Sequence, residues 1–291
     1  MRKHLVMSIG LAVCCLAAAG CQLKTIVPAG SGTVRYRDDI TSSVDVTKGV
    51  AYGKAADLTG AVKTLKLDVY QPHGDTVTKR AAVVWVHGGS FKGGSKDDGE
   101  IVDQATVFTK KGYVVVSIDY RLSAGGCAPF TSDCIKAIEM AYHDAQAAVR
   151  FLRAKATTYG IDTNRIAVAG TSAGAITAYN VAYGSEIPGH SGNPGYSSKV
   201  RAAVSLSGAS LTTTPNAGEP PTLDFHGTKD DLVPYEWVQS TVKDAKAAGL
   251  VAEQTVWPGD GHVPYDEHRQ QILDETRNFL YAAMDLAHAA T

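Results

Sequence analysis

"GTSAG", residues 170–174, follows the apolar run "RIAVA" at 165–169. Ser172 lies at the centre of a G-x-S-x-G spacing. The five letters alone do not decide its role. With 29 Gly in 291 residues, the pattern arises by chance in about one such chain in five, so its context must decide. A short Val- and Ala-rich run before the serine reads as a buried strand. The stretch 174–183 after it reads as a helix. Strand, tight turn and helix together describe a serine raised on a sharp bend, with Gly170 and Gly174 removing side chains where the turn crowds. The competing role is a serine capping a helix start.

The runs "AAVVWVH" (81–87), "YVVVSID" (113–119), "RIAVAG" (165–170) and "VRAAVSLS" (200–207) are short and nearly continuously apolar. Such runs suit strands buried on both faces of a parallel sheet. "TLKLDVY" (64–70) alternates, as a half-buried strand does. "TLDFHG" (222–227) and "AEQTVW" (252–257) extend the series. Helical patterns fall at 137–158, 174–183, 236–248 and 267–288. In the first, Ala141, Ala145, Ala148, Val149, Leu152 and Ala156 form one apolar stripe, with Arg150, Arg153 and Lys155 expected to face away. Gly160 is placed to cap that helix. Strand and helix alternate, so the fold class is α/β, with a mostly parallel central sheet and helices on both faces. Ligands then gather at the carboxyl ends of the strands.

Four strand ends carry unusual residues: "HGGSFKGG" (87–94), "GTSAG", "HGTKDDLVP" (226–234) and "GDGH" (259–262). They supply Ser, Asp and His in that order. A serine hydroxyl needs a base to become a nucleophile. An imidazole can serve as that base, and a carboxylate holds the imidazole in its tautomer. His262 alone among the histidines occupies a glycine-rich loop between the last strand and the last helix. His143, His268 and His288 fall on helical patterns and read as surface residues. His73 and His190 fall in polar loops, and His87 and His226 close strands. The acid is Asp230 or Asp231, since Asp224 lies inside its strand. The N–H groups of Gly89, Ser90 and Ala173 are candidates to hold a developing oxyanion.

The start of the chain reads differently. "MRKH" is basic, "LVMSIGLAVCCLAAA" is apolar but short for a membrane span, and "LAAAGC" ends the run. This resembles a bacterial lipoprotein signal over residues 1–20, with Cys21 as the lipidated residue. Residues 21–32 then form a tether, and 33–291 a single domain. The runner-up is an ordinary cleaved secretory peptide, giving a secreted or periplasmic protein. In the exported body only Cys127 and Cys134 remain, seven positions apart. They are expected to pair as a disulfide. No second Cys or His pair lies near them, so no metal is expected. The net charge is −1, and no basic tract runs beyond short pairs such as Lys110–Lys111. No nucleic-acid partner is implied.

Taken together, "LKLDVYQP", "VVWVHGGSFKGG", "VVSIDYRL", "DAQAAVRFLRAKATTYGIDTNRIAVAGTSAGA", "LDFHGTKDDLVPYEW" and "GDGH" resemble the α/β-hydrolase family. The likeness is to bacterial carboxylesterases of the hormone-sensitive-lipase-like and feruloyl or acetyl-xylan esterase groups. It implies a Ser172–Asp230–His262 triad, because the family pattern H-G-T-x-D-x-x-V-P puts the acid on Asp230. Two residues depart from the hormone-sensitive-lipase-like pattern: Ser90 replaces a third glycine, and Thr171 replaces an aspartate. The resemblance implies hydrolysis of small carboxylic esters without a cofactor, and short acyl chains suit a chain with no long apolar lid. "SAGGCAPFTSDC" (123–134) and "YGSEIPGHSGNPGYSS" (183–198) are candidate rims. A serine exopeptidase, or a non-catalytic tethered binding protein, is the alternative.

Overall fold

The computed structural model describes residues 23, 27–127, 130–186 and 191–289. The signal segment 1–20, Cys21, part of the tether and His190 lie outside these residues.

The strands are β1 (Val44–Ala56), β2 (Val62–Pro72), β3 (Arg80–Val86), β4 (Val114–Ile118), β5 (Ile161–Thr171), β6 (Ala202–Leu206), β7 (Thr222–Gly227) and β8 (Ala252–Trp257). They form one sheet in the order β1-β2-β4-β3-β5-β6-β7-β8. Pairing is antiparallel between β1, β2 and β4, and parallel from β4 through to β8. Every residue of β3, β4, β6 and β7 is buried. This is why their sequences run apolar instead of alternating.

The helices are α1 (Gly99–Lys110), α2 (Ser132–Ala154), α3 (Ala156–Tyr159), α4 (Ala173–Tyr183), α5 (Tyr235–Ala247) and α6 (Tyr265–Ala283). Successive strand residues point to opposite faces, and this parity builds two cores. Val84, Val86 and Val168 pack with α2, α4 and α5. Val83, Trp85, Ala167 and Ala169 pack with Ile101, Ala105 and Phe108 of α1 and with Ile272, Phe279 and Leu280 of α6. The α/β architecture with helices on both faces is therefore as the patterns predict.

Several details differ. Strand β1 and helix α1 carry no predicted counterpart. Helix α2 starts at Ser132, where the Thr131 side chain accepts the Cys134 N–H as an N-cap. Arg150, expected to face away, is buried and donates from Nε to the Gly192 carbonyl. That bond satisfies one of its donors inside the protein. Arg153 is half-buried and donates to the carbonyls of Ser197 and Lys199. The last helix ends at Ala283, with a separate short 3-10 turn over Leu286–His288. Gly160 does cap a helix, at φ 61°, although the helix it ends is the short α3.

Cys127 and Cys134 are joined as a disulfide, with Cα atoms 4.5 Å apart. It ties the loop after β4 to the first turn of α2. Closing so short a loop removes freedom from the unfolded chain and contributes about 2–3 kcal/mol.

Candidate active site

The parallel strands from β4 to β8 point their carboxyl ends to one edge, so the loops after β3, β5, β6, β7 and β8 share that edge. Ser172 follows β5 directly, at φ 53° and ψ −116°. This left-handed backbone is costly for a residue with a Cβ. It is held by the bond from Ser172 N–H to the Leu206 carbonyl at 2.8 Å. A Cβ on Gly170 would stand 2.3 Å from the Gly174 carbonyl oxygen, and one on Gly174 would stand 2.0 Å from that of Val86. Both glycines of the motif are thus required by close backbone approach.

His262 Nε2 lies 2.8 Å from Ser172 Oγ, and His262 Nδ1 lies 2.7 Å from Asp230 Oδ2. The other oxygen of Asp230 accepts the N–H groups of Leu232 and Val233. Burial alone would raise the Asp230 pKa. Its bonds from His226, His262 and the Val233 N–H outweigh burial and hold it well below the usual carboxylate value. It is therefore an ionised, oriented acceptor. Asp231 is exposed at the surface. The structure thus joins Ser172, His262 and Asp230 in one hydrogen-bonded line and leaves Asp231 outside it.

The loop after β3 touches the serine turn. A Cβ on Gly88 would stand 3.2 Å from the Thr171 carbonyl oxygen and 3.3 Å from Ser172 Cβ. The Tyr120 hydroxyl donates to the carbonyls of His87 and Gly88, and its ring stacks on His87 at 4.3 Å. The Gly89 carbonyl accepts from Lys92 and Gly93, and the Ser90 carbonyl accepts from Cys127. The N–H groups of Gly89 and Ser90 donate to no acceptor among the described residues. Ala173 is the first residue of α4, where an N–H has no intrahelical acceptor. Ser90 and Phe91 have φ 53° and 58°, so this loop, like the serine turn, is held in a strained shape.

The His262 loop is fastened from three sides. Val263, a β-branched residue at φ 52°, donates its N–H to Ser207 Oγ at 3.0 Å. Tyr265 and Arg269 of α6 both bond Asp103 of α1. His268, read as a surface residue, stacks on Trp257 with ring centroids 4.0 Å apart and pairs with Asp260. Its helix packs against the loop end, so only part of the ring meets water. His143 is half-buried on α2, and His288 is exposed.

A cavity of about 160 Å³ opens beside Ser172, Ser90 and Ala173. Its walls are apolar: Phe91, Ile176, Leu211 and Leu232, with the Cys127–Cys134 bridge on one side. Phe130 and Trp237 meet edge to face at 6.4 Å at its rim. Of the two candidate rims, 123–134 contributes Cys127, Phe130 and Cys134 to this cavity. The described part of 183–198 packs elsewhere: Ser191 Oγ donates to Asp144, and Asn193 Nδ2 donates to the Tyr52 carbonyl. Asn193 reaches that carbonyl through a left-handed turn at φ 52°, which lays the segment on β1 and α2. Spacing did not single out Ser207, Leu232 or Trp237. They come from separate loops that only the sheet brings together. Among the described residues no cluster of His, Cys, Asp or Glu has metal-holding geometry.

A mostly parallel sheet that carries Ser, Asp and His after β5, β7 and β8, in contact as a line, defines an α/β-hydrolase with a serine triad arrangement. The model of the BD-FAE family matches residues 67–216, which is half of the chain, and the chain belongs to that family. The matched stretch holds Ser172 and the loop after β3 but ends before Asp230 and His262. The chain is 28% identical over 139 residues to Esterase E4 of Myzus persicae, covering 45% of this chain and 24% of that protein. It is 34% identical over 115 residues to Carboxylesterase 5A of Homo sapiens, covering 39% of this chain and 19% of that one. The chain thus spans a quarter or less of these curated relatives. Among solved structures, Thermogutta terrifontis esterase 2 phosphorylated by paraoxon superposes with a TM-score of 0.69 at 24% identity, over 86% of this chain and 97% of that one. The propionate-bound form of the same esterase gives 0.68 at 24% identity, over 89% and 99%. These structures share the fold.

Proposed function

We propose that the protein hydrolyses carboxylic esters through an acyl-enzyme on Ser172. The observation that carries this reading is the line Ser172 Oγ–His262 Nε2, His262 Nδ1–Asp230 Oδ2, at 2.8 and 2.7 Å. His262 Nε2 takes the hydroxyl proton as Ser172 Oγ attacks the ester carbonyl carbon. The carbonyl oxygen becomes an oxyanion beside the N–H groups of Ala173, Gly89 and Ser90. Asp230 stabilises the imidazolium that results. Collapse of the adduct breaks the carbon–alkoxy bond, and His262 returns the proton to the departing alcohol. A water molecule then gives its proton to His262 and attacks the acyl carbon; the adduct collapses with cleavage of the bond to Ser172 Oγ, and His262 returns the proton to that oxygen as the acid leaves. No step calls for a cofactor.

The preferred substrates are esters with short acyl chains or small aryl or sugar alcohols. A cavity of about 160 Å³ with apolar walls suits a few carbons, which are driven in by burial at about 0.8 kcal/mol per methylene. The fold-sharing Thermogutta terrifontis esterase 2 is described as propionate bound and as butyrate bound. A fluorophosphonate probe tests the nucleophile, and a panel of p-nitrophenyl esters tests the pocket. Covalent labelling of Ser172 and fastest turnover on the acetate-to-butyrate members are expected. An unlabelled protein with no esterase turnover would refute the reading and favour a binding protein. Preference for aminoacyl amides over esters would favour an exopeptidase.

We further propose that the protein is exported and anchored in the cell envelope by acyl chains on Cys21, with 33–291 as one domain. The support is the "LAAAGC" signal. No helix among the described residues is long and apolar enough to cross a membrane. Metabolic labelling with a fatty acid is expected to mark the wild type and to vanish in Cys21→Ala. Label that persists in that variant would overturn the anchor.

A further inference from the structure

His226 is the penultimate residue of β7, four positions before Asp230, and its side chain has no exposed surface. A carboxylate faces each side of the ring. Nε2 lies 2.8 Å from the Val233 carbonyl oxygen and 3.3 Å from Asp230 Oδ2. Nδ1 lies 3.7 Å from Asp224 Oδ2 and is a buried nitrogen without a hydrogen-bond partner among the described residues.

The proton positions follow from these neighbours. A carbonyl oxygen only accepts, so Nε2 carries a proton. Asp224 decides Nδ1. Its Oδ1 accepts from Ser205 Oγ, and its Oδ2 accepts from Gln254 Nε2. Both donors favour the ionised form of Asp224 over the protonated one. In a dry interior a bare Nδ1 lone pair facing that oxygen is repelled, while an Nδ1–H is attracted. Burial disfavours charge on His226, but the bond to Asp230 and the field of Asp224 prevail and raise its pKa. Burial lifts Asp224 to about 6, against the pull of His226 and the two donors. From other elements, Tyr179 of α4 stands beside Asp224, Tyr235 of α5 has its ring 5.9 Å from His226, and His262 stands across Asp230. Phenols are neutral at pH 7, so the two carboxylates set the balance.

We propose that His226 is a buried imidazolium bridging Asp224 and Asp230, and that it acts as a positioning residue for the triad carboxylate. This rests on the catalytic reading of Ser172, His262 and Asp230. The Nε2–H of His226 steadies the oxygen that faces His262, while the Leu232 and Val233 N–H groups hold the other. The positive charge of His226 also shares the field of Asp230. That charge lies across Asp230 from His262 and opposes a second positive charge there.

Two measurements test this. Nitrogen-15 NMR of histidine-labelled wild-type protein at neutral pH reads the ring directly, with His226 assigned by its loss in His226→Gln. Two protonated ring nitrogens are expected; an unprotonated Nδ1 would overturn the proposal. This readout holds whether or not the protein hydrolyses esters. The second is the pH profile of kcat/KM on p-nitrophenyl acetate for His226→Gln and for Asp224→Asn, which removes the partner that keeps Nδ1 protonated. Both variants are expected to move the acidic limb to higher pH by about half a unit or more. In both, kcat is expected to fall about tenfold with KM little changed. A merely structural histidine lowers the melting temperature and leaves the limb in place, and that result would overturn the proposal. If His226→Gln does not fold, Asp224→Asn carries the same comparison.

Discussion

His262 Nε2 stands 2.8 Å from Ser172 Oγ across 90 positions of chain. The serine is pinned by β5, β6 and the two motif glycines. The histidine is pinned by Ser207, by the α1–α6 bolt at Asp103 and by Asp230. Neither side chain owes its place to its own loop alone, so the contact measures how well the sheet edge is assembled.

Asp230→Asn keeps the shape of the acid but loses its charge. The imidazolium formed during attack is then unsupported, and the tautomer of His262 is no longer imposed. A fall in kcat of about 10³–10⁴ is expected, with KM little changed. A fall of less than tenfold would mean that Asp230 is not the orienting acid.

The same carboxylate gives a pH signature in stability. Burial raises its pKa, but the bonds from His226, His262 and the Val233 N–H lower it further, to a net value well under that of the unfolded chain. A depressed folded value contributes stability above the unfolded pKa near 4, and that stability is lost as the pH falls below it. The melting temperature of the wild type relative to Asp230→Asn is therefore expected to be highest near neutrality and to converge toward pH 3. A gap that widens in acid would contradict the assignment.

Gly89 has φ 106°, and a Cβ there would stand 2.3 Å from the Gly93 carbonyl oxygen. Gly89→Ala must therefore shift the loop whose N–H groups are proposed to hold the oxyanion. Removing one such donor costs about 10²–10³ in kcat. A loss of that order is expected on p-nitrophenyl acetate, with far-ultraviolet circular dichroism unchanged. Full activity would remove this loop from the oxyanion role.

Trp237 and Phe130 close the rim of the apolar cavity. Trp237→Ala lengthens the space available to an acyl chain. The ratio of kcat/KM for hexanoate over acetate esters is expected to rise about tenfold, the value of a few buried methylenes. An unchanged ratio would place the acyl group elsewhere.

How much of this was legible depended on which force set each residue. Strands β3, β4, β6 and the second half of β5 declare themselves because burial on both faces leaves few polar positions. Strand β1 does not. It is mostly exposed, carries Gly49 and Gly53, and pairs with β2 through two register shifts. Helix α1 begins after Asp98, an N-cap whose side chain bonds Ser95 rather than the helix N–H groups, and its short amphipathic pattern is weaker than that of α2. Arg150 was misread because a charge was taken as a mark of solvent, whereas a carbonyl acceptor lets it be buried. Spacing alone left Asp230 and Asp231 open. The distinction comes from the tight turn that gives Asp230 the N–H groups of residues 232 and 233. The cavity walls and the place of His226 between two carboxylates depend on tertiary contacts that no local pattern records.

The most direct test is the turnover of purified Ser172→Ala beside the wild type on p-nitrophenyl acetate, with folding checked by circular dichroism and melting temperature. A folded variant with turnover at the uncatalysed background, against an active wild type, is expected. A folded variant that hydrolyses the ester as fast as the wild type would contradict nucleophilic catalysis by Ser172.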